Sequence, residues 1–509
     1  MSHEIELKLA LPHRALPALR RHPLVSAAQK LGNAVTLDNT YFDTPALQLK
    51  ARNVALRIRR QGRRQLQTVK CAAVSSGGLS QRPEWEQDYT GAFDFGAIDQ
   101  PEAAQLLARH HDALVPVFTT RFRRETRVYS PREDLRILMM IDTGEVSLHT
   151  PDGVERSAPI CELELELEAG QPLDLIELAE TLASDLPLMP ADLSKAERGY
   201  RLFLGTPSTA VRAEPSAIDA TQNAVDAFRT LAFSCVRQWQ ANAAGALEHT
   251  DPDSIAADFI HQLRVSQRRL RALLKLFAPA LPATFVADWS VRLRENANRF
   301  GDARDLDVFH AELLAPVAPE GLADEASFSA LASTVRRARE EARAHACHNL
   351  DMATQGRLLL GLTADLHRLT IDSLIQAADL RTFARLRLDR LRKRTRRLAM
   401  AAETLEPTRL HALRIGFKQL RYAVEFFAPL FPARAVRRYL EAVVLVQDTL
   451  GFLQDVDAAQ QRLAAWVAAD ARLAPAAAFV LGWHAARYAR LRRRALREST
   501  PLLSGRKPW

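Results

Sequence analysis

Acidic and apolar residues alternate in two segments that lie far apart in the sequence. The first is Glu4-Ile5-Glu6-Leu7-Lys8-Leu9, and the second is Cys161-Glu162-Leu163-Glu164-Leu165-Glu166-Leu167-Glu168. Because the side chains of a β-strand alternate between its faces, each segment predicts a strand with its charges on one face and its leucines on the other. Carboxylates in such a row stand about 7 Å apart and repel one another unless a cation lies over them. Two such strands facing each other would make a site for divalent metal ions.

Basic side chains follow the same alternation in the segments between these two strands. The aligned charges are Arg57 and Arg59; Lys70; Arg82, Glu84 and Glu86; Arg121, Arg123, Glu125 and Arg127; and Asp142. A single strand of this kind is typical of a solvated surface, where ion pairs contribute little to stability. Six or seven such strands, with Ile, Leu, Val, Phe and Trp on their other faces, favour a closed antiparallel sheet with the charges inside around a water-filled channel.

A channel lined by arginine, lysine and glutamate suits a polyphosphate that is chelated by a divalent cation. The basic side chains would bind phosphate oxygens, and the carboxylates would hold the metal ion. Phosphoryl transfer depends on positioning and charge neutralisation more than on covalent catalysis, so this chemistry needs no nucleophilic serine or cysteine.

The ordered set of motifs resembles the CYTH superfamily of triphosphate tunnel metalloenzymes over about residues 1–203. The motifs are Glu4-Ile5-Glu6-Leu7-Lys8, which matches an ExExK signature, Tyr41-Phe42-Asp43-Thr44, Arg57 with Arg59, Lys70, Arg82-Pro83-Glu84-Trp85-Glu86, Arg121, Asp142, the strand with Glu162, Glu164 and Glu166, and Ser194-Lys195 before Gly199-Tyr200. The resemblance implies an eight-stranded antiparallel β tunnel with covering helices. It also implies hydrolysis or cyclisation of triphosphates with Mg²⁺ or Mn²⁺ as cofactor.

The same resemblance implies roles for individual residues of this sequence. The implied metal ligands are Glu4, Glu6, Glu162 and Glu164, with Glu166 beside them. The implied phosphate-binding residues are Lys8, Arg57, Arg59, Lys70, Arg82, Arg121, Arg123 and Lys195. Glu4, Glu6 and Lys8 are the predicted catalytic residues.

The rest of the chain has a different pattern, with Ala, Leu and Arg at helical spacing over residues 219–505. Residues 204–218 contain two prolines and predict a linker between the two regions. The regions also differ in charge, since residues 211–509 hold 44 Lys+Arg against 32 Asp+Glu, whereas residues 1–210 hold 25 against 28. A basic second half favours a polyanionic partner.

The helical region contains an internal duplication at an offset of 150 residues. His261-Gln262-Leu263-Arg264 recurs as His411-Ala412-Leu413-Arg414, and Phe277-Ala278-Pro279 recurs as Phe427-Ala428-Pro429. In each copy, basic residues advance by three or four positions along one helix face; they are His261, Arg264, Arg268, Arg271 and Lys275, and His411, Arg414, Lys418 and Arg421. A polyanion would relieve the repulsion between these like charges. The pattern therefore predicts two homologous helical bundles that carry an anion-binding groove.

This repeated pattern resembles the CHAD domain, a helical domain named for its histidines and often found behind CYTH. The resemblance implies binding of inorganic polyphosphate. The implied binding residues are His261, Arg264, Arg268, Arg271, His411, Arg414, Lys418 and Arg421.

The sequence as a whole predicts a multidomain α+β protein that acts as an inorganic triphosphatase. It would hydrolyse tripolyphosphate to pyrophosphate and phosphate in the tunnel and bind long-chain polyphosphate with the duplicated helical domain. Three alternatives stay open: an adenylate cyclase or organic (thiamine or nucleoside) triphosphatase of the same fold, a scaffold that binds polyphosphate without catalysis, and nucleic-acid binding by the basic helices. The scarcity of aromatic residues among the arginines disfavours single-strand binding.

Location follows from what the sequence lacks. No apolar run is long enough to span a bilayer, the first residues show no signal-peptide pattern, and the four cysteines form no CxxC pair. We expect a cytoplasmic protein without a membrane partner, with polyphosphate granules as a place of association.

Overall fold

The structure is a computed structural model that describes residues 2–71, 74–149, 155–248, 256–317, 325–369 and 379–509. The chain divides into two compact units. The first is Met1–Thr209 together with Asp351–Arg368, and the second is Ala210–Leu350 together with Leu369–Trp509. These limits differ from the domain limits read from the sequence, because residues 351–368 lie within the expected helical domain 219–505 but belong to the first unit.

The first unit contains one antiparallel sheet. Its strands are β1 Ser2–Ala10, β2 Gln29–Lys30, β3 Val35–Asp43, β4 Ala55–Gln61, β5 Arg64–Lys70, β6 Val74–Ser76, β7 Leu79–Asp88, β8 Val115–Tyr129, β9 Arg136–His149, β10 Glu155–Ala169 and β11 Met189–Pro190. Strands β1, β10, β9, β8, β3, β4, β5 and β7 are neighbours in that order, and β7 pairs back with β1. Eight strands therefore close a ring, which confirms the predicted eight-stranded antiparallel tunnel.

Strand register determines which side chains lie inside the ring. Glu6 and Lys8 of β1 lie opposite Glu166 and Glu164 of β10, so these four charges share the inner face. The leucines between them face outward. There they form a buried core with the helices that cover the sheet. The covering helices of this unit are α1 Leu16–Arg21, α2 Pro23–Ala27, α3 Pro101–His110 and α4 Pro172–Asp185, and a further helix, α5 Lys195–Leu204, packs into the ring.

One end of the tunnel interior is apolar because α5 packs into it. Tyr200 of α5 lies edge-on to Phe118 of β8 with 5.1 Å between ring centroids, and Phe118 stacks on Tyr41 of β3 at 4.7 Å. A Cβ atom on Gly199 would lie 2.0 Å from the Phe118 ring, so only glycine allows this close approach. The charged side chains expected to line a channel therefore occupy only the remaining part of the interior.

From Ala224 onward the secondary structure of the second unit is helical in its described residues. The helices are α6 Ala224–Glu248, α7 Ala256–Phe277, α8 Ala283–Asn298, α9 Gly301–Val308, α10 Glu325–Asn349, then α11 Met352–Arg368 of the first unit, and α12 Leu380–Ala401, α13 Pro407–Phe427, α14 Ala433–Ala469 and α15 Ala474–Ser504. The duplication is visible in these limits: α7 and α13 end at the same repeat position, and α8 and α14 begin at the same one. Helix α11 lies between the two copies in the sequence.

Helix α11 is an integral part of the first unit. Leu360 is fully buried in the core formed by the outer leucines of β1 and β10. Arg368 bonds Glu177 and Glu180 of α4 at 3.0 and 3.3 Å. No described helix of either unit is long and apolar enough to cross a membrane.

Candidate functional site

Glu4 and Glu6 of β1 are surrounded by basic side chains from the neighbouring strands of the tunnel. Lys70 of β5 places its ammonium nitrogen 2.8 Å from Glu4 and 2.7 Å from Glu84. Arg82 of β7 donates to Glu4 at 3.2 Å and to Glu6 at 2.5 Å. Burial alone would lower the pKa of Arg82, but the charges of Glu6 and Glu4 outweigh it and raise that pKa above the ordinary value. The structure thus brings these five residues together.

Glu166 of β10 lies beside this group and has no ion pair or side-chain hydrogen bond with any other described residue. Burial raises the pKa of Glu166, as do Glu4 and Glu6, and the pKa reaches about 7 although Lys70 opposes the rise. An unpaired carboxylate next to two others is stabilised by a divalent cation, and carboxylate oxygens are the ligands that Mg²⁺ and Mn²⁺ prefer. Glu4, Glu6 and Glu166 therefore offer the ligand type that a metal ion needs, although among the described residues the group that brings three carboxylate oxygens within 4.8 Å of one another is Asp142, Glu162 and Glu164.

A second acidic group lies deeper in the tunnel, towards α5. Carboxylate oxygens of Asp142, Glu162 and Glu164 lie within 4.8 Å of one another, and all three residues are buried. Lys195 of α5 donates to each of them, at 2.7, 2.5 and 3.0 Å respectively. Arg124 of β8 donates to Asp142 at 2.6 Å and to Glu164 at 2.5 Å. Glu162 and Glu164 are among the metal ligands that the resemblance implies. In this structure Lys195 and Arg124 neutralise their group, as Lys70 and Arg82 neutralise Glu4 and Glu6.

Lys8 connects the two acidic groups. Its ammonium nitrogen lies 3.6 Å from Glu6 and 3.4 Å from Glu164. Burial would lower the pKa of Lys8, but Glu6 and Glu164 raise it above its ordinary value, so Lys8 stays charged. The resemblance implies phosphate binding for Lys8 and Lys195, and both are bound to carboxylates in this structure.

Arg57 and Arg59 of β4 line the opposite wall with weaker partners. Arg57 lies 3.9 Å from Glu84, and Arg59 lies 3.6 Å from Glu86. The Nε atom of Arg57 is buried and has no hydrogen-bond partner among the described residues. Burial lowers the pKa of Arg59 to about 10, and the charge of Arg57 contributes.

Arg57 also hydrogen-bonds Tyr41. Burial would lower the pKa of Arg57, but Tyr41 and Glu84 raise it above its ordinary value. Arg59 donates to the side-chain oxygen of Asn39 at 3.0 Å. Neither guanidinium group has a carboxylate of a described residue closer than 3.6 Å, which suits an anion such as phosphate.

Arg121 and Arg123 do not line the tunnel, so their predicted role in phosphate binding is wrong. They lie on the outer face of β8 with side chains 73% and 56% exposed, and they pair with Asp38 and Glu125. Phe122 between them points inward and belongs to the aromatic cluster with Phe118. Because side chains alternate, an inward Phe122 forces both arginines outward.

In the second unit, basic residues of α7 and α13 converge where the two helices cross. Arg268 of α7 donates to the Tyr422 hydroxyl of α13 at 3.2 Å. Burial lowers the pKa of Lys418 to about 7, and Arg268, Arg414 and Arg264 add to this effect. The amino group of Lys418 has no hydrogen bond or ion pair with any described residue. We call Arg264, Arg268, Arg414 and Lys418 the central basic cluster.

The other four predicted polyphosphate-binding residues lie around this cluster. Burial, Arg304 and Arg268 lower the pKa of His261 to about 4, so this imidazole is neutral. His411 is exposed and contacts Gln454 of α14. Arg421 is paired with Glu425 at 2.7 Å. Arg271 lies further along α7.

Comparison with known proteins decides the family of both units. Residues 2–200 match the family model of the CYTH domain, and residues 230–464 match that of the CHAD domain. The chain carries a CYTH domain followed by a CHAD domain. The resemblances seen in the motifs are confirmed.

Several relatives of these domains are known. The inorganic triphosphatase of Haemophilus influenzae is 30% identical over 211 residues, which are 40% of this chain and 55% of that protein. The chain therefore spans about half the length of this curated relative. A solved CHAD domain from the plant Ricinus communis is 27% identical, covers 59% of this chain and 98% of its own, and has a TM-score of 0.48. A putative adenylyl cyclase from Hippeastrum with a dominant triphosphatase activity is 23% identical and has a TM-score of 0.28. The match covers 40% of this chain and 95% of that chain.

The CYTH domain also contains two site residues that are absent from the set predicted by sequence. Arg124 lies beside Arg121 and Arg123, which fit the alternation equally well, so the pattern does not single it out. Arg198 of α5 bonds Glu162 inside the tunnel. Its position three residues after Lys195 places it on the same helix face, which is a signal that the sequence contains.

Proposed function

We propose that the CYTH domain is a metal-dependent triphosphatase that hydrolyses inorganic tripolyphosphate to pyrophosphate and phosphate. The observation that carries the proposal is that acidic groups and guanidinium groups lie in the same tunnel. The unpaired carboxylate of Glu166, together with Glu4 and Glu6, lies in the same tunnel as the guanidinium groups of Arg57 and Arg59, neither of which has a described carboxylate closer than 3.6 Å. Family membership and the similarity to an inorganic triphosphatase support this assignment.

Each group has a distinct role in this proposal. Glu4, Glu6 and Glu166, with Glu162 and Glu164 of the deeper acidic group, would hold Mg²⁺ or Mn²⁺, which would neutralise charge on the phosphate oxygens. Arg57 and Arg59 bind phosphate, since a guanidinium exchanges a distant carboxylate for a charge-assisted phosphate contact. Lys8, Lys70 and Arg82 keep the carboxylates ionised and in place; burial raises the pKa of Glu84, for example, but Lys70 outweighs it and the value falls to about 2.

The shape of the interior favours a short inorganic substrate. Helix α5 and the aromatic cluster occupy one end, so a long chain does not pass through the tunnel. Tyr41, Phe118 and Tyr200 pack against one another, which leaves these rings no free face for a nucleobase or a thiamine ring. These contacts favour inorganic tripolyphosphate over the cyclase and organic triphosphatase alternatives.

We further propose that the CHAD domain binds inorganic polyphosphate through the central basic cluster. Four like charges from two helices lie together, and Lys418 among them has no partner within the described residues. A polyanion supplies the missing negative charge. Polyphosphate is favoured over nucleic acid because it needs only contacts to phosphate oxygens.

A substrate panel with the full chain tests the enzyme proposal. Phosphate release is measured from tripolyphosphate, long-chain polyphosphate, ATP and thiamine triphosphate, with Mg²⁺, with Mn²⁺ and with EDTA. We expect tripolyphosphate to be the fastest substrate and Glu6→Gln to lower kcat by about 100-fold, as removal of one electrostatic group does in other enzymes. Glu145→Gln, on the exposed outer face of β9, is the matched control and should keep full activity.

The alternatives give different results in the same panel. Faster turnover of ATP or thiamine triphosphate would favour the organic triphosphatase or cyclase. No phosphate release from any substrate would favour a scaffold that only binds. If Glu6→Gln and Glu145→Gln behave alike, the site is assigned to the wrong carboxylates.

A further inference from the structure

The basic stripe of the CHAD domain ends differently in the two copies of the duplication. In the first copy the stripe continues to Lys275, whereas the residue 150 positions later is Glu425. Glu425 pairs with Arg421 at 2.7 Å and with Arg269 of α7 at 2.7 Å. The second copy therefore neutralises the end of its own stripe, and the first copy does not.

The end of α7 carries a second group of basic side chains. Arg387 of α12 donates to the backbone oxygen of Lys275 at 2.9 Å, which places α12 beside this end of α7. Arg394 lies two turns further along α12. Burial and the charge of Arg294 on α8 lower the pKa of Arg271. Burial, Arg271 and Arg394 lower the pKa of Lys275.

We call Arg271, Lys275, Arg294 and Arg394 the α7 end cluster. In the part of the chain that the structure describes, none of the four forms an ion pair with a carboxylate. The side chain of Lys275 and that of Arg294 are exposed, so a ligand reaches them from solvent. In the other copy Glu425 relieves the repulsion between basic side chains. No described carboxylate forms an ion pair that would do so within the α7 end cluster.

We propose that the α7 end cluster is a second anion subsite that receives the continuation of a polyphosphate chain from the central basic cluster. This inference rests on the proposed binding of polyphosphate by the CHAD domain and specifies its direction and chain length. Eleven residues separate Arg264 from Lys275, which is about 16 Å along α7 at 1.5 Å per residue. The clusters adjoin at Arg268 and Arg271, which are about one helical turn apart, but a tripolyphosphate has too few phosphate groups to reach from Arg264 to Lys275, whereas a long chain contacts both ends.

Binding at two subsites has a thermodynamic signature. Once the first segment of a chain is bound, the second binds as an intramolecular event, so the affinities combine. Each additional lysine or arginine that contacts phosphate also releases counterions, which steepens the dependence of the binding constant on salt. Long chains should therefore bind more tightly than tripolyphosphate and with a steeper salt dependence.

A charge reversal at Lys275 tests the inference in the full chain. A labelled long-chain polyphosphate is titrated, and unlabelled tripolyphosphate is used as competitor, with EDTA present so that the CYTH domain does not consume the ligand. Lys275→Glu should weaken long-chain binding about tenfold and reduce its salt slope, while the affinity for tripolyphosphate changes less than about twofold. Arg336→Glu, an equal charge change at an exposed residue of α10, should alter neither.

Arg268→Glu in the central basic cluster should weaken both ligands, which shows that the signal comes from the CHAD domain. If Lys275→Glu leaves long-chain binding unchanged, or weakens both ligands equally, the second subsite is refuted while polyphosphate binding stands. If the wild-type chain binds no long-chain polyphosphate, the proposed function of the CHAD domain fails and this inference fails with it.

Discussion

Two arginines three positions apart on β8 have opposite surroundings. Arg124 points into the tunnel and donates to Asp142 and Glu164, and the charge of these carboxylates raises its pKa above the ordinary value although burial opposes this. Arg121 lies 73% exposed beside Asp38. A buried pair that loses one partner leaves an uncompensated charge, whereas an exposed pair contributes little.

We therefore expect Arg124→Ala and Arg121→Ala to behave very differently. Arg124→Ala should destabilise the CYTH domain by about 3 kcal/mol, because among the described residues Asp142 then keeps only Lys195 as a close cationic partner and Glu164 keeps only Lys195 and Lys8. Arg121→Ala should change stability by less than about 0.5 kcal/mol. Hydrogen exchange of peptides from β8 and β9, read by mass spectrometry, measures both effects locally. Equal exchange rates in the two variants would place Arg124 outside the network.

The same strand shows why part of the site could not be read from the sequence. Glu4, Glu6, Lys70 and Arg82 were predictable because their strands carry leucine or valine on one face and charge on the other. Around Phe122 the pattern offers two faces that both contain arginine. Which of the two faces of β8 points inward depends on α5, because Tyr200 of this helix packs in one buried cluster with Phe118 and Phe122. That contact is remote in sequence, so alternation alone does not reveal it.

Among the helices, α11 is the element whose location the sequence does not indicate. It lies between two copies of a helical duplication and has the same Ala- and Leu-rich composition as its neighbours. Its apolar face is recognisable from the 3.6-residue period, but the period does not say which surface that face covers. The structure places Leu360 in the core of the first unit, although residue 360 lies within the stretch that matches the CHAD family model. The helical class of the region and its repeat could be predicted, whereas the assignment of this helix to a unit could not.

Gly356 makes this packing testable. A Cβ atom at this position would lie 1.7 Å from the backbone oxygen of Leu188, and a backbone atom cannot move aside as a side chain can. Gly356→Ala should therefore destabilise the contact by about 1–3 kcal/mol, as overpacking does in other cores. Faster hydrogen exchange in α11 and around Leu188 would report it.

A second helical glycine supplies the control. Gly482 of α15 has nothing within 4 Å of the position that a Cβ atom would occupy, so Gly482→Ala should stabilise its helix by up to about 1 kcal/mol. The same chemical change, glycine to alanine, should therefore lower stability at Gly356 and raise it at Gly482. Unchanged exchange in Gly356→Ala would mean that α11 does not pack on Leu188.

Across the whole molecule, charge is divided between the two domains. The tunnel pairs its own acids and bases closely, as Lys70 with Glu84 and Lys195 with Glu162 show. Residues 211–509 carry the excess of 44 basic against 32 acidic residues. Such an excess raises the rate at which polyanions are captured from solution. The close pairing in the first domain suits a specific ligand, whereas the excess of positive charge in the second suits a general attraction of polyanions.

The duplication concentrates this positive field on one amino group. Lys418 receives the charges of Arg264 and Arg268 from the first copy and of Arg414 and Arg421 from the second. With burial as the largest contribution, these charges lower the pKa of Lys418 to about 7. Neither copy alone would produce this value, so the titration is a property of the assembled pair.

The affinity of the CHAD domain for polyphosphate should consequently depend on pH. Lys418 is charged below about pH 7 and neutral above it, and a polyanion binds the charged form. The affinity should therefore fall about tenfold as the pH rises through this range, because a tenfold change corresponds to the free energy of one charge-assisted contact. In the Lys418→Arg variant the side chain stays charged, so the affinity should no longer fall as the pH rises. The affinity of this variant should match that of the wild type below pH 7 and exceed it above pH 7. Titrations with long-chain polyphosphate on both sides of pH 7 measure this. His411→Ala, which changes another predicted polyphosphate-binding residue of the same helix, is the control and should retain the wild-type dependence of affinity on pH. If Lys418→Arg and the wild type show the same slope, Lys418 is not the titrating group.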